Sequence, residues 1–389
     1  MPITEQMQEL LQAGQIKEAE PLLRAYVAQH ENDRDVRITW VRVLLGLRQL
    51  DEAKELVEGL VEAAPNDPDS LSVRALEHEL HGRLDDAKTD YEASLALDGE
   101  QSNVLYNLGR LLVTSVEFDE AVAEKAETYL KKAIKLTPDH FQASHQLAAL
   151  YTRLGKLEEA VEACVNTIER NPMHIPSYLF LGEVFSQLGQ HSEVIELFKA
   201  GLRVNPLAHA FRDELIRLYQ TEERYEAAFE TAMEQADMRG ACEDFLKVGE
   251  LSMIMGQSQA AEVAYIKAED VSPKDWRPSY NLGELYRGLA LAEQAKEAYE
   301  RSLGLAETAE SSNGLGLLAQ AQEGGEEEAI QRFQAALAIV PDSPVYLNNL
   351  AYALDQAGRK EDIAETLQRV EPLFPQDDPT IAQVKSLLA

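Results

Sequence analysis

The chain has 389 residues, of which 36 are Lys or Arg and 68 are Asp or Glu, so its net charge is −32. Because a strongly negative surface repels phosphate groups, this charge argues against nucleic acid as the main partner and against anionic membranes. The composition is 45% hydrophobic and 27% charged, which is typical of a folded protein and excludes disorder for most of the chain.

The cysteine content and the first residues indicate the compartment. Cys164 and Cys242 are the two cysteines, and neither has a Cys or His nearby at metal-ligand spacing. A disulfide framework and a structural zinc site are therefore not predicted, and a reducing compartment is expected. Residues 1–7 carry no basic or apolar segment, and no run of about 18 apolar residues occurs in the chain. We expect a cytoplasmic protein without membrane insertion.

A small or aliphatic residue recurs along the chain, in most cases every 34 residues. The series is Ala19, Ala53, Ala87, Ala126, Ala160, Val194, Ala228, Ala261, Ala295, Ala329 and Ile363. Four residues after most members there is a large or apolar residue, with Ala232 as the small exception. Twelve residues after most members there is a proline. This regularity indicates an internal repeat.

Two helical patterns make up each period, because apolar residues recur at i, i+3, i+4 and i+7 in both halves. The turn between the halves often contains glycine, at Gly14, Gly82, Gly155, Gly189, Gly256, Gly324 and Gly358. Each period is therefore predicted to form two antiparallel helices. We expect Gly or Ala of the first helix to face Ala of the second, and the proline to end the second helix.

These units resemble the tetratricopeptide repeat, whose pattern over 34 residues is an aromatic, Leu-Gly, Tyr, Ala, an aromatic and Pro. The resemblance divides the chain into eleven units, at 1–33, 34–67, 68–101, 102–140, 141–174, 175–208, 209–241, 242–275, 276–309, 310–343 and 344–377. It implies an all-α, right-handed superhelical solenoid of helix hairpins over residues 1–377. Residues 378–389 are predicted to form a C-terminal capping helix with Asp378 as its N-cap.

Two units depart from this pattern. The unit at 102–140 contains five extra residues near 115–124, which predict a longer loop or an extra helical turn, with a partner-specific protrusion as the alternative. The unit at 209–241 lacks the terminal proline, so the seam near 238–242 is predicted to be either a weak joint or an irregularity without consequence.

No catalytic motif is found. His78 and His81 are three residues apart, whereas a zinc-protease helix needs two histidines four apart, so His78 is interpreted as a packed core residue. Neither a phosphate-binding glycine loop nor a Gly-x-Ser-x-Gly elbow occurs, and Cys164 is expected to be buried and inert. The sequence therefore predicts no enzyme, no cofactor and no metal site.

The resemblance implies that the first helices line a concave groove and that this groove binds partners. The residues at the corresponding places are Tyr106, Asn107, Arg110, His145, Gln146, Leu179, Phe180, Glu183, Tyr280, Asn281, Glu284, Arg287, Asn348, Asn349 and Tyr352. Asn107, Asn281 and Asn349 share one place in their units, where an amide either pairs with a peptide backbone or simply faces water. The aromatic residues of the groove favour partner segments with apolar anchors, and the negative charge of the chain favours segments that are basic.

Two functions are compatible with this sequence. The first is a non-catalytic scaffold or adaptor that holds partner polypeptides in the groove. The alternative is a structural protein that self-assembles into dimers or polymers through its solenoid ends or its convex face.

Overall fold

The computed structural model describes residue 7, residue 10, residues 15–30 and residues 33–388. Every regular element in this part of the chain is a helix, which confirms the all-α prediction. Most of the first half of the first predicted unit, including Gly14, lies outside the described residues, and so does Ala389 at the end of the predicted capping segment.

The chain forms two compact units, which are called here the N-terminal unit (residues 1–206) and the C-terminal unit (residues 207–389). The N-terminal unit contains α1 (Ile16–Val27), α2 (Arg34–Gly46), α3 (Leu50–Ala63), α4 (Pro68–Leu80), α5 (Leu84–Leu97), α6 (Ser102–Val113), α7 (Glu120–Leu136), α8 (Phe141–Arg153), α9 (Leu157–Arg170), α10 (Ile175–Gln187) and α11 (His191–Val204).

The C-terminal unit continues the same alternation of first and second hairpin helices. It contains α12 (His209–Thr221), α13 (Tyr225–Arg239), α14 (Cys242–Ile254), α15 (Ser258–Val271), α16 (Trp276–Gly288), α17 (Ala292–Leu305), α18 (Ala309–Gln320), α19 (Glu326–Ile339), α20 (Pro344–Gln356), α21 (Lys360–Val370), a short 3-10 helix (Glu371–Leu373) and α22 (Pro379–Ser386). In both units the even-numbered helices up to α20 are the first helices of their hairpins, and the odd-numbered helices are the second.

A tight turn with one residue in the left-handed backbone region joins the helices of most hairpins. Glycine fills this position at Gly82, Gly155, Gly189, Gly256, Gly324 and Gly358. At the same place in three other hairpins, the positive φ is adopted by Arg48, Glu223 and Ala290. Because the turn is so short, the two helices must run antiparallel.

The five extra residues of the unit at 102–140 are divided between a loop and a helix. Residues 114–119 form a six-residue connection, and α7 has 17 residues where most second helices have 14. Arg153 of the next hairpin holds the loop, because its guanidinium lies 3.8 Å from the centroid of the Phe118 ring and donates to the Ser115 carbonyl at 3.2 Å. Val116, at the tip of the loop, is 99% exposed.

The seam near 238–242 has its own local structure. Helix α13 ends at Arg239 and is followed by Gly240, which has a φ of 63°, and α14 begins immediately after Ala241. The buried Asp244 carboxylate accepts hydrogen bonds from Arg239, from Gln235 and from the Ala241 backbone. These contacts replace the proline that ends most of the other second helices, and they tie the end of α13 to the start of α14.

Packing within each hairpin depends on glycines of the first helix that lie against rings of the second. A methyl group on Gly283 would come within 2.5 Å of the Tyr299 ring, and one on Gly249 within 2.2 Å of the Tyr265 ring. The same contact joins Gly182 to Phe198 and Gly316 to Phe333. The closest neighbour of these glycines is therefore a ring and not, as predicted, an alanine, because each ring is long enough to reach the backbone of the first helix.

The two residues at these facing places have complementary sizes in most hairpins. The pairs, with the first-helix residue given first, are Val41 and Val57, Ala75 and Tyr91, Gly109 and Leu130, Ala148 and Cys164, Gly182 and Phe198, Ile216 and Ala232, Gly249 and Tyr265, Gly283 and Tyr299, Gly316 and Phe333, and Ala351 and Leu367. Ala148 and Cys164 belong to one buried cluster. The large Ile216 and the small Ala232 occupy the facing places of their hairpin and line the same pocket.

Helix α22 packs on the last hairpin. Its Ile381 and Val384 are buried in the same cluster as Leu350 and Leu367. The Asp378 side chain accepts a hydrogen bond from the Thr380 backbone, as an N-cap does. The apolar side of the last hairpin is covered in this way.

We predict that Gly283→Ala lowers the free energy of unfolding by about 1–3 kcal/mol, because the added methyl group overlaps the Tyr299 ring. Gly304→Ala is the matched control, since Gly304 also lies in a helix but has no atom within 4 Å of the position of a Cβ. The control is expected to raise the free energy of unfolding by about 0.5–1 kcal/mol. Urea unfolding followed by circular dichroism measures both. Equal effects of the two substitutions would contradict the proposed ring contact.

Candidate functional site

A pocket of about 610 Å³ lies on the first-helix face of the N-terminal unit. Its walls come from four consecutive first helices, α2, α4, α6 and α8, and from the segment before α8. Tyr106 and Asn107, which the sequence places at the partner-binding face, both line it. The pocket also contains polar side chains of Ser72, Asn103 and Gln142, so it combines aromatic and hydrogen-bonding groups.

The aromatic wall of this pocket is formed by Tyr106 and His140. Their ring centroids are 4.8 Å apart. His140 is buried, and its Nδ1 accepts a hydrogen bond from the Ala143 backbone at 3.3 Å. Burial lowers the pKa of His140 and raises the pKa of the Tyr106 hydroxyl, so both groups are neutral near pH 7. The wall formed by Tyr106 and His140 is therefore uncharged and is suited to an apolar side chain.

Asn107 is part of a hydrogen-bond network that begins in the core. The hydroxyl of the fully buried Tyr91 receives a hydrogen bond from the Asn107 amide and donates one to Glu79 at 3.3 Å. Glu79 also accepts from Arg110 of the next hairpin. Burial is the main cause of the raised pKa of Tyr91. Asn107 and Arg110 are thus held in fixed positions, with one Asn107 donor already in use.

A cluster of rings extends the face beyond the pocket. The His145 ring lies edge-on to Phe180, with 5.2 Å between the centroids, and 6.3 Å from His174. Phe141 lies 5.9 Å from His174. Nδ1 of His145 is buried and accepts no hydrogen bond from the residues that the structure describes. Burial lowers the pKa values of His145 and His174, and the neighbouring His145 lowers that of His174 further.

The remaining predicted residues of the N-terminal unit have different exposures. Gln146 and Leu179 are half-buried, whereas Glu183 is exposed. The Glu183 carboxylate accepts a hydrogen bond from Gln187 of the same helix at 3.4 Å. Glu183 is therefore the accessible negative charge beside the ring cluster.

In the C-terminal unit, Glu284 and Arg287 bind each other and a buried tyrosine. Arg287 donates to Glu284 at 2.6 Å and to the Tyr299 hydroxyl at 3.3 Å, and Tyr299 donates to Glu284. The ring of Tyr280 lies 5.9 Å from Trp276 and 6.0 Å from Tyr299. Burial raises the pKa of Tyr280 to about 12. These polar groups mainly fix the helices in place.

The three asparagines at the shared place have different environments. Asn107 donates to Tyr91, and Asn349 donates to Asn313 of the preceding first helix at 2.7 Å. Asn281 and the neighbouring Asn348 are half-buried. Tyr352 is exposed on the last first helix. A single backbone-pairing role for all three amides is therefore not apparent from their contacts, since two of them bind within the chain.

Sequence reasoning missed the contribution of the second helices to this face. Tyr91 and Tyr299 belong to second helices, yet their hydroxyls bind Asn107, Glu79 and the pair Glu284 and Arg287. The available signal was the use of Tyr instead of Phe at a core place, because a buried hydroxyl needs a partner.

The other groups singled out in the sequence have structural surroundings. The His78 ring lies between two carboxylates, with Nδ1 3.0 Å from Glu77 and Nε2 3.4 Å from Asp90. Within the described ranges, no group of three or more His, Cys, Asp or Glu side chains is arranged to hold a metal ion. Burial raises the pKa of the Cys164 thiol to about 12, and it also raises that of Cys242.

The family comparison agrees with the repeated helix hairpins seen in the structure. Models described as tetratricopeptide repeat match residues 10–76, 73–127, 129–162, 277–308 and 316–378, which together are more than half of the chain. The chain belongs to the tetratricopeptide repeat family. Proteins of this family generally mediate protein–protein interactions, and their fold is typically non-catalytic.

Individual relatives are distant. Cellulose synthase operon protein C of Pseudomonas fluorescens (strain SBW25) is 23% identical over 382 residues, which are 92% of this chain and 27% of that protein. Protein NPGR2 of Arabidopsis thaliana is 24% identical over 218 residues, 49% of this chain and 29% of that protein. The chain thus spans less than a third of the length of these curated relatives. Yeast Tom70 aligns with a TM-score of 0.43 and 14% identity, over 98% of this chain and 94% of Tom70.

Among the residues that the structure describes, no helix has both the length and the apolar character needed to cross a bilayer.

We predict that the free energy of unfolding falls as the pH drops from about 7.5 to about 5.5. The pKa values of His140, His145 and His174 are lowered in the folded chain, so the unfolded chain binds more protons below its ordinary histidine pKa of about 6.5. Carboxylates such as Asp67, whose pKa is lowered by its hydrogen bonds to Arg34 and Ser70, lose their contribution only at pH values below this window.

The measurement is urea unfolding at several pH values, with the variant in which both His145 and His174 are replaced by Gln. This variant should show a flatter pH dependence than the natural chain. If the two slopes are the same, the burial of these rings is not what couples protonation to unfolding.

Proposed function

We propose that the chain is a non-catalytic adaptor that binds an extended, basic polypeptide segment on the first-helix face of its N-terminal unit. The pocket lined by Tyr106, Asn107 and His140 is the observation that carries this proposal. Its volume of about 610 Å³ is within the range of ligand-binding pockets. An aromatic wall beside a few polar groups is the arrangement that anchors one large side chain and orients the segment around it.

An extended segment fits this face better than a compact partner. The pocket crosses four first helices, so a bound chain would run along the stack and meet one hairpin after another. Side chains such as Asn103 and Gln142 can pair with the backbone of such a segment, as amides donate and accept at once. The ring cluster of His145, Phe180 and His174 provides a second apolar contact further along the same face.

The negative net charge of the chain favours a partner segment that is basic. The chain has a net charge of −32, which attracts positively charged partners over long distances. At the pocket itself, the Asp139 side chain is exposed, whereas the nearby Asp69 is already paired with Arg34 and Arg42. Glu183 is exposed beside the ring cluster. Basic residues that flank an apolar anchor would meet these carboxylates.

The first-helix residues of the C-terminal unit form a second, weaker part of the proposal. Tyr352 is exposed, and Asn281 and Asn348 are half-buried, so they can contact a polypeptide segment bound at this unit. Glu284 and Arg287 are assigned to holding the helices, because they already bind each other and Tyr299. The proposal involves no cofactor, and it includes a reducing, cytoplasmic location, which the two free cysteines support.

The test is fluorescence anisotropy with a labelled extended peptide in which Lys alternates with Phe, and with a second peptide in which Glu replaces Lys. We predict that the Lys peptide binds more tightly and that Tyr106→Ala weakens its binding about tenfold, the loss expected for one buried aromatic anchor.

Tyr129→Ala is the matched control. Tyr129 and Tyr106 are both half-buried and pack on the same hydrophobic cluster, but Tyr129 belongs to a second helix. The two variants should lose similar stability, and only Tyr106→Ala should lose binding. Equal binding by both variants, or equal binding of the Lys and Glu peptides, would refute the proposed site. If light scattering shows that the fraction of dimers increases with protein concentration, self-assembly would be favoured instead.

A further inference from the structure

An apolar groove of about 350 Å³ lies on the C-terminal unit, between the second helices α13 and α15. Phe245 and Val248 of α14 form its floor. Phe229 and Met233 of α13 form one wall, and Val263 of α15 forms the other. These five residues define the α13–α15 groove. It lies on a different unit and on different helices from the proposed peptide pocket, and its lining is mainly apolar.

The groove is open to solvent although its lining is apolar. Val263 is 52% exposed, and Phe229, Met233 and Phe245 are only half-buried. Ala260 and Ala264 of α15 have small side chains, which leaves space for large side chains of a partner between the two helices. Apolar surface of this kind on a folded protein is typical of an interaction site.

One edge of the groove is negative. Glu226, Glu230 and Asp237 lie within about 40° of one another around α13, on the side next to Phe229 and Met233, because an α-helix turns by about 100° per residue. All three side chains are exposed, Asp237 lines the groove, and none forms an ion pair with any residue that the structure describes. The opposite edge carries Lys267, whose amine lies 5.6 Å from the centroid of the Phe245 ring.

We infer that the α13–α15 groove binds an amphipathic α-helix of a partner protein, with Lys or Arg along one flank. Two helices above a third form a trough that accepts the apolar stripe of a fourth helix, in the helix-in-groove manner. The basic flank of the bound helix lies against Glu226, Glu230 and Asp237. A second copy of this chain is a poor occupant, since it brings another 32 negative charges to the same surface.

The probe is a labelled 16-residue peptide designed as an amphipathic helix, with Leu on one face and Lys along one flank. A second peptide carries Glu in place of each Lys. Fluorescence anisotropy with the full chain is expected to show binding of the Lys peptide and at least about tenfold weaker binding of the Glu peptide. Peptide circular dichroism should show helix formation on binding.

Two substitutions on the same helix form the matched test. Val263→Asp places a charge in the groove, whereas Ile266→Asp alters an equally branched residue that is 42% exposed and does not line the groove. Val263→Asp should weaken the Lys peptide at least about tenfold, and Ile266→Asp should leave it unchanged. Equal binding by both variants would overturn the inference.

Reversing the charges at the negative edge tests the inference without changing the apolar floor of the groove. In the double variant Glu230→Lys and Asp237→Lys, both exposed sites should tolerate the change, and the preference should shift towards the Glu peptide. An unchanged preference would overturn the basic-flank assignment. Dimers that form in the natural chain and vanish in Val263→Asp, without peptide binding, would assign the groove to a second copy. Tyr106→Ala should not affect this peptide, which separates the inference from the proposed adaptor pocket.

Discussion

The close approach of two helices within each hairpin is the constraint on which the rest of this structure depends. In most hairpins this approach is accompanied by facing residues of complementary size. Gly182, Gly249, Gly283 and Gly316 leave room for a ring, so each first helix lies directly on an aromatic side chain of the second. Where the second helix has Ala232, the first helix supplies the larger Ile216.

This packing also determines which groups reach the binding face. The ring of the buried Tyr299 lies against Gly283, and its hydroxyl binds Glu284 and Arg287 of the same first helix. The hydroxyl of the buried Tyr91 binds Asn107 of the next hairpin, which the sequence also assigns to the surface. The polar residues of the first helices are thereby ordered before any partner arrives. Ordered side chains lose less entropy on binding than free ones, which favours recognition by the N-terminal pocket.

Much of the fold could be predicted from the sequence, because the repeat spacing, the turn glycines and the helical periodicity all report local structure. The positive φ at Gly82 and Gly155 and the N-cap at Asp378 are of this kind. The site was less predictable, since it depends on contacts between distant residues. The bond from Asn349 to Asn313 spans two hairpins, and the pocket at Tyr106 requires His140 from outside the first helices. The α13–α15 groove depends on three helices at once, so no single motif indicates it.

The most direct test of this account is a double-mutant cycle at Ala148 and Cys164, a facing pair in which both residues are small and fully buried. Size complementarity predicts that Cys164→Phe alone lowers the free energy of unfolding by about 1–3 kcal/mol, because the ring is much larger than the fully buried thiol that it replaces. In the Ala148→Gly background, the same ring should cost much less, since the pair then matches Gly182 and Phe198. An equal cost of Cys164→Phe in both backgrounds would contradict the account.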